Sequence, residues 1–189
     1  MKRLGVPGRT TEVVVRRVAA DEWARARDLR LEALQDPEAV RAFLTSYAQA
    51  SAQPDSFWQE RTAQAAQGDQ AAQLVAAAGD EWVGTVTVVV QGPGATDALG
   101  RPVCEPHGTV VAVYVHPGFR SSGVVDQLLD AATDWARGRG LTRLTLDVHR
   151  DNPRAQGAYR RCGFVPTGRT VTGPVGPEVE MARSVLTAP

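Results

Sequence analysis

The stretch Thr109-Val-Val-Ala-Val-Tyr-Val115-His-Pro117-Gly-Phe-Arg120-Ser-Ser-Gly123-Val-Val125 decides the fold. Its first seven residues form an almost unbroken β-branched and aromatic run, the composition of a strand buried on both faces. His116-Pro117-Gly118 ends that run, because Pro removes a backbone donor and Gly permits a turn. Beyond Gly123, the apolar residues Val124, Leu128, Ala131 and Trp135 recur four, three and four apart. That spacing predicts a helix with one apolar face, stopped at Gly140. The start of such a helix carries unpaired amides and the positive end of its macrodipole, so residues 120–125 offer an anion site. Arg-Ser-Ser-Gly alone is an ordinary surface loop; the strand before it and the helix after it give it this meaning.

A second unit follows. Leu144-Thr-Leu-Asp-Val148 alternates as a strand does, and Asn152-Pro153 reads as a helix N-cap with Pro at the first helical position. Asn152 and Tyr159 are seven residues apart, close to two turns, so both lie on nearly one face. Gly163 closes the helix and Phe164 begins the next strand.

In their order, the two units resemble the GCN5-related N-acetyltransferase family, over about the second half of the chain. The first matches its Gln/Arg-x-x-Gly-x-Gly/Ala motif, and Asn152-Pro-Arg-Ala155-Gln-Gly-Ala-Tyr159-Arg-Arg-Cys-Gly163-Phe164 matches its Asn-x-x-Ala-x-x-x-Tyr-x-x-x-Gly-Phe pattern without a gap. The resemblance implies a mixed α/β fold, a strongly twisted sheet with helices on both faces and a V-shaped splay between two central parallel strands. It implies acetyl-CoA as co-substrate and no metal. The pyrophosphate would rest on Arg120, Ser121, Ser122, Gly123, Val124 and Val125, and Asn152 would contact the coenzyme. Backbone groups of Val113, Tyr114 and Val115 would pair with the pantetheine arm as an added strand pairs with a sheet edge. Tyr159 would also touch the coenzyme and act as general acid, a phenol titrating near ~10 being protonated at neutral pH. Val125 stands where the family prefers Gly or Ala, and Ser121 where Gly is common; the added branching at Val125 predicts weaker coenzyme binding.

The family reaction is direct attack of a neutral amine on the acetyl thioester. Many members carry a Glu on the cradle strand to take the amine proton; the corresponding region here offers Thr109. His107 is the first substitute, because an imidazole titrates near neutrality, and Glu105 the second. His149 follows a strand and is a further possibility; His116 is expected to face outward.

Composition sets the limits. At 189 residues and 43% hydrophobic, the chain has room for one full core. The expected organisation is a frayed segment over Met1 to Thr11 and a single N-acetyltransferase domain over 12–187. The 21 basic residues equal the 21 acidic ones, so no net field draws the chain to nucleic acid or to a membrane. Two cysteines are too few for a disulfide framework, and no leader or bilayer-length apolar run is evident, so a cytoplasmic location is expected. Cys162 reads as a small buried thiol and Cys104 as a loop residue.

Elsewhere, Glu12 to Val18 reads as the first strand. Asp21 reads as the cap of a helix bearing the stripe Trp23, Ala26, Leu29 and Ala33. Further helices are expected over Glu38 to about Ala50 and Asp55 to about Gln67. Ala71 to Ala78 and Trp82 to Val90 flank the turn Gly79-Asp80-Glu81 as a hairpin. Gln91 to Gly108 is a long connection, and loops of that length are often functional. Thr167 to Thr172 and Glu178 to Val185 form a closing hairpin.

The leading expectation is an acetyl-CoA-dependent N-acetyltransferase acting on a small-molecule amine. Transfer to a protein or peptide amine is the alternative within that chemistry, and a non-catalytic acyl-CoA-binding sensor is the alternative outside it. Tyr47, Phe57, Trp58, Trp82 and the Gln91 to Gly108 loop are the acceptor-side candidates, with core packing the simpler role for Phe57 and Trp58. A homodimer is expected only because the family often forms one.

Overall fold

The computed structural model describes residues 12–186, so the fraying expected of residues 1–11 lies outside the described residues. Seven strands form one mixed sheet in the order β1-β2-β3-β4-β5-β7-β6. They are β1 (Val13–Arg17), β2 (Ala71–Ala78), β3 (Glu81–Gln91), β4 (His107–Val115), β5 (Arg143–His149), β6 (Val165–Gly173) and β7 (Gly176–Ser184). Both expected hairpins are present, the first turning at Gly79, where φ is +63°. Among the described residues, no helix is long and apolar enough to cross a membrane.

β4 and β5 run parallel at the centre of the sheet and pair only at Gly108↔Leu144 and Thr109↔Thr145. Gly108 permits that contact: a Cβ there would lie 2.6 Å from Leu144 Cδ2 and 3.0 Å from Val88 Cγ1. Beyond Thr109 the strands have no registered partners across the gap, which is the splay that the family resemblance implies. On the other edge of β4, Thr85 pairs with Tyr114 and Thr87 with Val111, so Ala112 and Val113 together oppose one residue of β3. Ala112 carries a φ of +53° in this bulge. The extra residue reverses which side chains face which layer. Val110 packs against the α4 side, whereas Tyr114 joins the core on the opposite face.

Helices cover both faces. α4 (Val124–Gly138) packs over Leu144, Leu146, Phe164 and Met181. Its buried face is Val124, Leu128, Leu129, Ala132 and Ala136. The expected stripe is thus rotated, and Trp135 lies at the rim under the guanidinium groups of Arg17 and Arg139, 5.7 and 5.5 Å from its ring centre. Gly140 stops the helix with φ +71°. On the other face, α1 (Trp23–Ala33) and α3 (Asp55–Gln67) bury Ala26, Leu29, Trp58 and Ala65 against Val75 and Trp82. Asp21 lies inside a 3₁₀ turn rather than capping α1; the carboxylate that accepts at this start is Glu22, 2.8 Å from the Ala19 amide.

The helix expected over Glu38 to Ala50 is broken. A 3₁₀ turn covers Ala39–Arg41, and a new helix, α2 (Tyr47–Ser51), begins at Ser46. Ser46 Oγ accepts from the Gln49 amide at 3.2 Å while Gln49 Oε1 accepts from the Ser46 amide at 2.9 Å. This reciprocal cap starts a helix afresh. The break leaves residues 41–45 free to form one wall of the cavity described next.

Candidate active site

A cavity of about 880 Å³ opens at the β4–β5 splay and is walled by the start of α4, by α5 (Pro153–Arg161), by α1, by residues 38–45 and by the 92–106 connection. At one end lies the turn singled out in the sequence. Gly123 precedes α4 with φ +84°, and Ser121 also has positive φ, +62°. The left-handed backbone turns the chain so that the helix opens toward the cavity without a side-chain cap. The first intrahelical bond recorded at this end is from Gln127 N to Gly123 O, which leaves the amides of Val124, Val125 and Asp126 free of protein acceptors. A Cβ on Gly123 would meet only Asp126 Oδ2, at 4.0 Å, so the floor of the turn is open. Ser121, Gly123, Val124 and Val125 line the cavity. Ser122 does not; its Oγ donates to Phe119 O at 2.6 Å.

Arg120 lines the cavity, but its charge is committed elsewhere. Nε donates to Val115 O at 3.1 Å, and the terminal nitrogen pairs with Asp36 at the end of α1. Burial would raise the Asp36 carboxyl, but the Glu38 amide and Arg120 outweigh it and hold the group below the usual range. Arg154 also lines the cavity, makes no ion pair among the described residues and acts electrostatically on both Tyr159 and Asp36. The sequence reading passed over Arg154, although its place inside the Asn152–Ala155 motif, in the first turn of a helix facing the turn, was the available signal.

Val113, Tyr114 and Val115 form the cavity edge of β4. The Tyr114 hydroxyl donates to Glu32 Oε1 at 2.8 Å, and burial together with that carboxylate raises its pKa. Asn152 is buried and caps α5, its Oδ1 accepting from the Ala155 amide at 3.0 Å. Tyr159 faces the cavity two turns on, its ring 6.1 Å from that of Phe164. Its hydroxyl makes no hydrogen bond among the described residues. Burial raises its pKa to about 12, with Cys162 adding to the shift and Arg154 opposing it. Cys162 is itself raised to about 12, by burial first and then by Asp126, whose Oδ1 lies 3.0 Å from its sulfur. That thiol stays protonated at neutral pH and has no nucleophilic character.

The opposite end is polar. Thr109, Asp147, His149 and Glu178 point from β4, β5 and β7 to the α1–α3 face and line the cavity. The 92–106 connection folds over them, held by a Thr96↔Pro102 bridge. It delivers Arg101, which donates to both Asp147 oxygens at 2.9 and 2.6 Å, pairs with Asp97 at 2.6 Å and lies 3.4 Å from Glu180. Burial pulls the Arg101 pKa down, but these carboxylates more than reverse it. With Glu178 included, four carboxylates share one guanidinium. Asp147 and Glu178 are both raised, chiefly by burial, and Glu178 Oε2 is buried without a partner.

The histidines divide by tautomer. His107 Nδ1 lies 2.8 Å from Glu105 O, so it donates and leaves Nε2 basic, but His107 is not among the cavity-lining residues. His149 does line the cavity, yet its Nδ1 accepts from the Asp151 amide at 3.1 Å. Neutral His149 therefore carries its proton on Nε2 and is a donor rather than a base. Of the aromatic acceptor-side candidates, Tyr47, Phe57, Trp58 and Trp82 lie outside this cavity, and Phe43 is the aromatic ring near Arg30 within it.

Comparison with known proteins fits this geometry. The sequence profile of the Acetyltransferase (GNAT) family matches residues 23–164. The chain belongs to the GNAT family. It is an acetyl-CoA-dependent N-acetyltransferase. A curated relative, aminoglycoside N(6')-acetyltransferase type 1 of Stenotrophomonas maltophilia, is 33% identical over 117 residues, covering 62% of this chain and 74% of that protein. Streptothricin acetyltransferase of Streptomyces lavendulae is 42% identical over 60 residues, 32% of each chain. The crystal structure of a GNAT acetyltransferase from Streptococcus pneumoniae superposes with a TM-score of 0.72 at 18% identity, covering 92% of this chain and 99% of that one. That likeness establishes the GNAT fold, with the splayed β4–β5 pair at its centre.

Proposed function

We propose that the protein transfers the acetyl group of acetyl-CoA to the primary amine of a small molecule by direct attack, with Tyr159 serving the leaving thiolate. The observation that carries this reading is the pairing, on one cavity, of three unpaired helix-start amides with an unpaired phenol two turns into α5. The relatives named for aminoglycoside and streptothricin acetylation support a small-molecule acceptor.

The coenzyme contributes an acyl thioester. The turn at Ser121–Val125 binds its pyrophosphate through main-chain amides, with Arg154 supplying the cation that Arg120 has given to Asp36. The exposed edge at Val113–Val115 and the Asn152 amide group orient the pantetheine arm along the splay. Tyr159, with its pKa near 12, keeps its proton throughout the working pH range. It therefore stabilises the departing thiolate first as a hydrogen-bond donor, since a thiolate of pKa about 8.5 does not fully deprotonate it. A free amine with pKa near ~10 is mostly ammonium at pH 7 and must lose a proton before attack. Glu178 is the proton acceptor best placed for this: it lines the cavity, and burial raises its pKa. The nitrogen lone pair forms the C–N bond as the C–S bond breaks; the amine protons pass to Glu178 and solvent, and the thiolate is capped at Tyr159.

Two measurements test the reading. Thermal unfolding with acetyl-CoA at about 100 times its dissociation constant should stabilise the protein by ~2.7 kcal/mol, while ATP should not. Thiol release should then depend on an added small amine. Stabilisation without release by any amine would leave a coenzyme-binding protein with no transferase activity of this kind.

A further inference from the structure

Two guanidinium groups at the acceptor end of the cavity make no ion pair among the described residues. Arg30 comes from α1 and Arg61 from α3, and both also border a smaller pocket beside Thr85, Thr87 and the Ala112 bulge. The Arg30 guanidinium carbon sits 4.2 Å from the centre of the Phe43 ring, against the 38–45 wall. The Arg30 pKa is lowered to about 10, by burial first and then by repulsion from Arg61; Arg61 is lowered by desolvation. Among the described residues, no carboxylate pairs with either. This sets them apart from Arg16, Arg101 and Arg120, each of which meets an acidic side chain. Arg30 is half-buried and Arg61 exposed at the mouth, so water screens both, yet two like charges on one wall still favour an anion over a cation there. Planar guanidinium forks match the oxygens of a carboxylate or phosphonate.

The far side of the same cavity has the opposite character. Asp147, Glu178 and Asp97 face it from the sheet and the 92–106 connection, with more carboxylate than Arg101 can balance. A ligand complementary to both walls carries an ammonium group and an oxyanion.

We propose that Arg30 and Arg61 form an oxyanion subsite and that the acceptor is a small amine bearing a carboxylate or phosphonate, an amino-acid-like zwitterion. The proposal rests on the acetyl-transfer reading above and narrows it. A polycation would bring positive charge against two uncompensated guanidinium groups, so polyamine-like acceptors are poor fits here.

The test uses the full chain saturated with CoA. An N-acetylated amino acid, its phosphonate counterpart and its methyl ester are titrated by calorimetry as product-like probes. The two acids should bind about tenfold or more tightly than the ester, the scale of a charge-assisted contact. Arg61→Gln should remove that difference, and Arg61→Lys should restore part of it, with circular dichroism confirming the fold of both. Equal binding of acid and ester, equal weakening of both by Arg61→Gln, or no binding of any probe at millimolar concentration would each overturn the proposal. Weakened acetyl-CoA binding in Arg61→Gln, with the acid–ester difference intact, would overturn it too and hand the guanidinium to the coenzyme. Because the readout is binding, it separates from the transfer reading. Acids that bind while no amine is acetylated would sink the transferase assignment and keep the subsite; amines acetylated without preference for acids would do the reverse.

Discussion

At the cradle end of the cavity, the groups on offer are main-chain amides and a strand edge, drawn from one strand, one turn and one helix start between Val113 and Asp126. At the acceptor end, they are side chains drawn from α1, α3, the 92–106 connection, β5 and β7. The first end is determined by local chain geometry: Gly123 at φ +84° exposes the amides whatever the neighbours are. The second exists only after the sheet has assembled and the bulge at Ala112 has set which residues face inward. A backbone site tolerates side-chain change and fails when backbone conformation changes. A side-chain site has the opposite sensitivity.

The largest effects expected separate proton handling at the two ends. Tyr159→Phe should lower kcat by about 10²-fold at every pH up to about 11, with acetyl-CoA affinity retained, because the phenol is protonated throughout that range. Steady-state rates across pH, with calorimetry for the coenzyme, check this; unchanged turnover would remove Tyr159 from the chemistry. Glu178→Gln should also cost about 10²-fold near pH 7, but the deficit should shrink toward pH 10 as free amine becomes plentiful. A deficit that ignores pH would assign Glu178 to packing.

The same Glu178 substitution should stabilise the fold. Its carboxyl is raised by burial in the folded protein, so its contribution is intact below the unfolded pKa and is lost as pH rises through the folded one. Glu178→Gln should therefore raise Tm at neutral pH, because a neutral amide avoids burying a charge, with the difference fading toward pH 4. Thermal melts at both pH values give the sign. Lower stability at neutral pH would mean that Oε2 has a partner after all, such as an ordered water.

What the sequence disclosed follows this division. Residues 109–125 and 144–164 announced their elements because strand composition, turn residues, helix spacing and caps all lie within reach of one another along the chain. The α3 boundaries, Asp55–Gln67, were equally legible from Pro54 and the spacing beyond it. Arg30, Arg61 and Glu178 drew no attention, because an arginine on an amphipathic helix or a glutamate at a strand start ordinarily faces water. Their place on the cavity comes from the packing of α1 and α3 on the sheet and from the β5–β7 register. His107 drew attention for its chemistry, and its position off the cavity depends on tertiary placement that no local pattern encodes. The break at Ser46 was readable, since Ser46-Tyr-Ala-Gln49 is a capping box.

Smaller effects sharpen the backbone side of the contrast. Gly123→Ala places a Cβ in open space, so crowding is not the difficulty; the cost is the left-handed φ, about 1–2 kcal/mol for an L-residue. Acetyl-CoA affinity should fall about tenfold if the turn relaxes to avoid that strain. Val125 gives the finest test. Its amide is one of the three that the proposed cradle would offer to the pyrophosphate, and its branched side chain both lines the cavity and packs at the rim of the α4 core. Val125→Ala keeps the amide, removes two methyl carbons and suits a helix start better by propensity. If branching hinders the phosphate, the variant should bind acetyl-CoA about threefold more tightly, a gain of ~0.6 kcal/mol, with little change in kcat. Unchanged affinity would show that the cradle reads the main chain alone, and weaker affinity that the Val125 side chain holds the helix start in position.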